Sequence, residues 1–333
     1  MQVASAPGKA VLSGEHSVVQ GSPALVMALE QRLTVRYHPD TLPRLSWLAP
    51  DRVHEMALEK FSSLRHRLDN AFESYLKGER SIKEILNRPA ELLFYTVDMA
   101  HLLGEVKQLP RGKVEIISDI PMGAGMGSSA ALLAALLTLF TRIEGKDEMI
   151  RQVRHCERLQ HGRGSLMDAS AVVLGGMVKV EGDVSSRVDF LPSEFDQDWY
   201  WIHTGTPTVS TGVCVDQVRR HFGDSDIWSE FSAVTHAMHE RLSQGNSIDP
   251  LVKENHRLLN RIGVVPAQVA ALIERIEERG GVAKVSGAGS VQGDAAGLVL
   301  TRLPAMTPDQ LDLPREYRWG RLRVSDRGAC IES

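Results

Sequence analysis

The chain lacks the features that would place it in a membrane, on a nucleic acid or in a disulfide scaffold. It has three cysteines, Cys156, Cys214 and Cys330, far apart and without metal-site spacing. They read as reduced thiols of a cytosolic protein. The longest apolar run, Ala130–Phe140, is too short to span a bilayer. The opening MQVASAPGKAVL has no basic segment leading into a long apolar core, so no signal peptide is expected. Net charge is −4 with no basic block, which removes the electrostatic footprint of a nucleic-acid binder. No fixed-period repeat and no low-complexity tract occurs. What remains is an ordinary globular composition, 43% hydrophobic and 24% charged over 333 residues, a length that suggests two domains.

Glycine is concentrated where it can act. Lys113–Phe140 reads KVEIISDI, PMGAGMGSS, AALLAALLTLF: a strand, a glycine loop and a buried helix. Gly123, Gly125 and Gly127 open backbone angles closed to other residues and let a ligand approach the chain. Ser128 or Ser129 is expected to cap the helix. Free amides and the dipole at such a helix start favour an anion, typically phosphate. The loop is not a P-loop, which would end in Gly-Lys-Ser/Thr. It is not a dinucleotide loop either, because position 128 is serine where that fingerprint needs glycine. The plainer alternative is a turn that packs a helix on a sheet.

Charge intrudes into apolar surroundings at few places. Residues 3–12 read as a strand interrupted at Pro7-Gly8, with Lys9, Glu15 and His16 set in an apolar opening. A Lys9–Glu15 ion pair on a sheet rim would explain two of them, and a site lined by strand ends would explain all three. A helix over Asp147–Gln160, stopped by Gly162, carries Glu157 on its apolar stripe. That carboxylate needs a cation, a metal or a proton, and Arg154 or Arg158 could supply the first. Asp168 follows eleven residues later, as a helix N-cap or a functional carboxylate. Residues 30–50 read as a strand and a proline-broken loop, 51–80 as helix, and Ser81–Leu103 as helix broken near Pro89. His54, His66 and His101 read as surface or packing residues.

Gly175-Gly176 mark the expected domain boundary, giving domains 1–176 and 177–333. Beyond it come strands at Met177–Val180 and Trp199–His203, then the hydroxyl-rich TGTPTVSTG. Helices are expected from Gly212 to about Leu242, over Leu251–Ile262 and over Pro266–Arg279. The last stretch, VAKVSGAGSVQGDAAGLVL, reads as strand, second glycine loop and strand, with a plain hairpin as its alternative.

Taken in order, SAPGKAVLSGEHSVVQGSPALVMAL, PMGAGMGSSAA and AKVSGAGSVQGDAAGLVL resemble the three motifs of the GHMP kinases, and within them the mevalonate kinase branch. ENHRLLNRIGV (Glu254–Val264) is similar to the segment before the third motif. The resemblance covers nearly the whole chain and is weakest over 36–105. It implies an α+β, two-domain fold, ribosomal-S5-like at the N-terminus and ferredoxin-like at the C-terminus, with ATP and acceptor in the cleft. It implies transfer of the ATP γ-phosphate to the primary hydroxyl of mevalonate or a similar hydroxy acid, with Mg²⁺, in the cytoplasm. No nucleic-acid or membrane partner is implied, and a homodimer is compatible with it. Asp168 would be the general base and Lys9 its neighbouring cation. Gly123, Ala124, Gly125, Met126, Gly127, Ser128 and Ser129 would hold the ATP phosphates. Glu157 with Ser128 or Ser129 would hold Mg²⁺. Glu15, His16, Thr211, Gly287 and Ala288 would line the acceptor.

Two departures bear on the acceptor. Gly164-Ser165-Leu166-Met167 precedes Asp168 where the branch usually has an Asn-Pro-Ser-Gly type run. Ser290-Val291-Gln292 interrupts the third glycine motif, and Asp294 stands where a small residue is common. Phosphomevalonate is therefore an alternative acceptor; it would call for further cations, of which Arg163 is the nearest. A catalytically silent nucleotide-binding protein on the same fold is the alternative of another class. Lys9, Glu157 and Asp168 together argue against it. The missing dinucleotide fingerprint disfavours an NAD-dependent oxidoreductase.

Overall fold

A computed structural model describes residues 1–49, 52–104, 108–190 and 193–332. The strands are β1 (Gln2–Ser13), β2 (Ala24–Pro39), β3 (Arg44–Leu48), β4 (Val53–Ala57), β5 (Gly112–Ser118), β6 (Met177–Glu181), β7 (Val184–Arg187), β8 (Trp199–His203), β9 (Val282–Ser286), β10 (Leu298–Arg302), β11 (Arg318–Arg321) and β12 (Cys330–Ile331). The helices are α1 (Phe61–Leu76), α2 (Ala90–Leu103), α3 (Ser128–Phe140), α4 (Lys146–His161), α5 (Leu166–Leu174), α6 (Thr211–Phe222), α7 (Ile227–Ser243), α8 (Asp249–Arg261) and α9 (Ala267–Glu278). None is long and apolar enough to cross a membrane.

Two sheets organise the chain. The first runs β12-β1-β2-β5-β3-β4, with β6 and β7 added beside the front half of β2. The second is an antiparallel sheet in the order β11-β8-β10-β9. Strand β2 is long enough to serve two partners: Ala24–Met27 pair with β6, and Leu33–Pro39 with β5. Helix α3 lies against β1 and β2, packed round by α2, α4 and α5. Its Ala130, Leu133, Ala134, Leu136 and Leu137 are fully buried, so the alanine- and leucine-rich sequence suits a helix enclosed on nearly every side. Truncating one of those leucines to alanine costs about 3 kcal/mol.

Strand β1 is continuous where an interruption at Pro7-Gly8 was expected. It absorbs Pro7-Gly8 as a register shift against β2 between Pro7 and Lys9. The helix expected over 51–80 begins only at Phe61; Val53–Ala57 pair with β3 as an edge hairpin, and positions 50 and 51 lie outside the described residues. The end of the 30–50 stretch, expected as proline-broken loop, contains β3, which runs parallel to β5.

The boundary at 176/177 needs correction. Strands β6 and β7 belong to the first sheet, and Val178 and Val180 pack with Val11, Ala24, Val26 and Ala171. The chain joins the second sheet at β8, and its end returns to the first: Ser325 N–H donates to Ala28 O at 2.8 Å, and β12 pairs with β1. Pattern alone does not reveal which sheet a short strand joins.

Candidate active site

The register shift in β1 turns its backbone toward the glycine loop. Lys9 N–H donates to Met126 O at 2.8 Å. Gly123, Gly125 and Gly127 all adopt left-handed φ, at 72°, 74° and 73°. For Gly127 two demands coincide, because a Cβ there would also lie 2.7 Å from Lys9 Cγ. The Lys9 side chain passes over that glycine, and its Nζ meets Asp168 Oδ1 at 3.2 Å. Of the two readings of Lys9, the one beside Asp168 holds and the alternative Lys9–Glu15 pair does not form.

The helix after the loop is capped differently from expectation. Gly127 occupies the N-cap, and Ser128 and Ser129 are the first helical residues. A glycine in left-handed geometry cannot offer a side-chain cap, so the first amides of α3 keep their capacity for an anion. Ser129 Oγ donates to Gln160 Oε1 at 3.0 Å, whereas Ser128 makes no side-chain hydrogen bond among the described residues.

Asp168 is not an N-cap. Ser165 caps α5, accepting from Asp168 N–H at 3.2 Å and donating to Asp168 Oδ1 at 3.2 Å. Asp168 thus sits in the first turn with its carboxylate fixed by Ser165 and Lys9. Glu157 is buried on α4, and its Oε2 accepts from Ser165 N–H at 3.0 Å. Neither arginine proposed as its partner pairs with it: Arg158 binds Asp69, and Arg154 donates to Gly164 O. Burial, and then the Asp168 carboxylate, push the Glu157 pKa up to about 8; Lys9 and Arg154 oppose this without cancelling it. Two carboxyl groups thus lie close together, Asp168 paired with Lys9 and Glu157 buried without a direct cation.

A second group is built across the two sheets, the parts of the chain around each being called its two lobes. Glu15 Oε1 pairs with Lys284 Nζ, and both side chains are fully buried. Lys284 lies in the middle of β9 and also donates to Val11 O at 3.4 Å. Val11 N–H donates to Ser286 Oγ at 2.9 Å. His16 Nε2 donates to Ala288 O at 2.9 Å, which leaves Nδ1 as a buried acceptor without a partner among the described residues. Burial lowers the His16 pKa to about 4, so the ring is neutral. Asn255 Nδ2 donates to Ser13 Oγ at 3.1 Å, and Ser13 Oγ lies 2.6 Å from Thr235 Oγ1.

The predicted residues thus fall into two groups. Lys9, Gly123–Ser129, Glu157 and Asp168 come together around the glycine loop. Glu15, His16 and Ala288 come together where the lobes meet, beside Gly287, whose missing Cβ would face open space. Thr211 is exposed at the start of α6 and makes no side-chain hydrogen bond to either group; its helix reaches Ala288 O through Cys214 Sγ at 3.0 Å. Sequence reasoning missed Lys284, Ser165, Ser13 and Asn255. A lysine inside the apolar strand VAKVS was the one available signal for the first.

Positioned cations, an anion-ready helix start and a carboxylate to receive a proton are what phosphoryl transfer to a hydroxyl requires. The GHMP kinases N terminal domain family matches residues 94–176, the stretch that contains the glycine loop, Glu157 and Asp168. Over those residues the chain carries a GHMP kinase N-terminal domain, and the comparisons point to a kinase that phosphorylates a hydroxyl group. It is similar to the mevalonate kinase of Thermococcus sibiricus, 27% identical over 307 residues that cover 86% of each chain. Its fold matches the crystal structure of Methanococcus jannaschii mevalonate kinase with a TM-score of 0.79 at 18% identity, over 97% of this chain and 98% of that one. Lactococcus lactis galactokinase, crystallised with galactose, has the same fold at a TM-score of 0.72 and 14% identity, over 99% of this chain and 94% of that one. The fold alone therefore does not choose the acceptor.

Proposed function

We propose that this protein transfers the γ-phosphate of ATP to the primary hydroxyl of mevalonate. The observation that carries the reading is the Lys9–Asp168 pair at 3.2 Å, held against the glycine loop. Asp168 receives the proton of the attacking hydroxyl; a weakly basic carboxylate suffices when the proton leaves late in a loose transition state. Lys9 stabilises the charge that develops on the transferring group. Glycine-loop amides and the α3 N-terminus hold the phosphates.

The residues present fit Mg²⁺. Among the described residues no cluster of three or more His, Cys, Asp or Glu side chains is assembled, which excludes an all-protein cage there. Mg²⁺ commonly binds through one or two carboxylates and the nucleotide phosphates. The charge-deficient Glu157 supplies such a carboxylate, and Ser128, free of other bonds, supplies a hydroxyl oxygen better than Ser129. Bound there with ATP, Mg²⁺ neutralises phosphate charge. Mevalonate as acceptor rests on the opening motif, the curated relatives and the cross-lobe group of Glu15, His16 and Ala288.

Purified protein is expected to form ADP from ATP when mevalonate is present and at background rate without it. A panel assay with mevalonate, phosphomevalonate and galactose checks this. Turnover with phosphomevalonate alone reassigns the acceptor; ATP binding without turnover on any acceptor contradicts the kinase reading.

A further inference from the structure

Lys284 is a fully buried ammonium in the middle of a strand whose five residues are all buried. Placing a charge there is costly, and a buried ion pair is weak evidence for stability because an apolar pair of similar size would often do as well. The pair is also incomplete as a structural device. Glu15 Oε1 receives the lysine, while Oε2 is buried with no hydrogen-bond partner among the described residues. The next residue shows the same pattern: His16 spends Nε2 on Ala288 O and keeps Nδ1 unpartnered. Buried polar atoms are nearly always bonded, so two idle acceptors on successive residues point to a ligand that donates hydrogen bonds. Beside them, Gly287 leaves space where a side chain would stand. A subsite made of acceptors suits hydroxyl groups and repels a carboxylate, so the carboxylate end of a hydroxy acid lies away from it.

Resting on the reading that Glu15 lies at the acceptor, we propose that Lys284 is a positioning residue for that acceptor. By engaging Oε1 it holds Glu15 as a fixed anion whose Oε2 receives an acceptor hydroxyl. Lys284 touches no reacting atom; it acts through Glu15, from the opposite lobe and 269 residues away in sequence.

The test is steady-state kinetics on Lys284→Met, Glu15→Gln and the double variant, with mevalonate and ATP varied separately and folding checked by thermal melting. Each single variant is expected to raise the mevalonate KM by roughly tenfold or more, the cost of one lost buried charged hydrogen bond. The KM for ATP should stay within about twofold, a split that general loosening of the fold would not give. The double variant should be no worse than Glu15→Gln alone, because with Glu15 neutralised Lys284 has nothing left to position. An unchanged mevalonate KM in Lys284→Met overturns the proposal, as does a double variant whose defect is the product of the singles. If Lys284→Met does not fold, the double variant decides alone: a KM equal to that of Glu15→Gln supports the proposal, and a further tenfold rise overturns it. An unaltered KM in Glu15→Gln removes Glu15 from the acceptor and this proposal with it. The kinase reading then still stands if wild-type protein makes ADP with mevalonate.

Discussion

The two groups of candidate site residues are built on opposite principles. On the phosphate side, Lys9, Gly123–Ser129, Glu157 and Asp168 all come from the first lobe. Glycines there keep the backbone open, and Glu157 and Asp168 lie close enough to interact. In the group proposed for the acceptor, Glu15–Lys284, His16–Ala288, Val11–Ser286 and Asn255–Ser13 join the two lobes through buried polar contacts. Under the proposed function, the first group awaits the charge of a nucleotide and its metal, and the second is preassembled and awaits hydrogen-bond donors.

Replacing Asp168 should separate the sides most sharply. Asp168→Asn is expected to lower kcat by roughly 10²- to 10⁴-fold, the usual contribution of a general base, with ATP affinity largely kept. Near-normal turnover would remove Asp168 from the proton-accepting role. Gly127→Ala should follow. Its Cβ would strike Lys9 Cγ at 2.7 Å, in a left-handed conformation that alanine resists. A displacement of Lys9 by about 1 Å is worth up to roughly 100-fold in kcat, and a variant with normal kcat would show that Lys9 need not be held by the loop. Glu157→Gln should raise the Mg²⁺ concentration for half-maximal rate by roughly 10- to 100-fold. An unchanged Mg²⁺ titration would leave its carboxylate without the metal role.

The last effect concerns stability and the second group, and leaves the chemistry aside. His16 has its pKa lowered to about 4 by burial, so it stays neutral in the folded state while the unfolded chain protonates near 6.5. Its contribution is full above pH 6.5 and is lost as pH falls toward 4. The loss is about 3 kcal/mol. His256, also lowered to about 4 by burial, adds to it. Urea unfolding at pH 7 and pH 4.5 should show this acid-side loss, and replacing both histidines by glutamine should flatten it. An equally steep loss in the double variant would place the acid sensitivity elsewhere.

The same division explains what could be seen in the sequence. The phosphate side is local: strand, three glycines and helix lie within thirty residues, and Glu157 and Asp168 stand eleven apart on adjoining helices. Glycine spacing and a carboxylate on an apolar stripe are enough to mark it. Sequence proximity offered an arginine to Glu157, caps to Asp168 and the loop serines, and Glu15 to Lys9 as plain alternatives, whereas buried charges pair across tertiary contacts; the family resemblance set Lys9 beside Asp168, where the structure has it. The acceptor side is non-local by construction. Val11 meets Ser286 and His16 meets Ala288 across separations of 275 and 272 residues. Lys284 in VAKVS signalled that some partner must exist without saying which. The lobe boundary failed for the same reason, since β6, β7 and β12 are assigned to the first sheet by pairing and not by pattern.

Mevalonate carries a primary and a tertiary hydroxyl, so the position of the new phosphate tests the whole arrangement. Wild-type protein incubated with ATP, Mg²⁺ and mevalonate should yield, by phosphorus NMR, one phosphate ester on the primary hydroxyl for each ADP formed. ADP accompanied only by inorganic phosphate, or an ester on the tertiary hydroxyl, would contradict the placement of Asp168 and Lys9 against the primary hydroxyl.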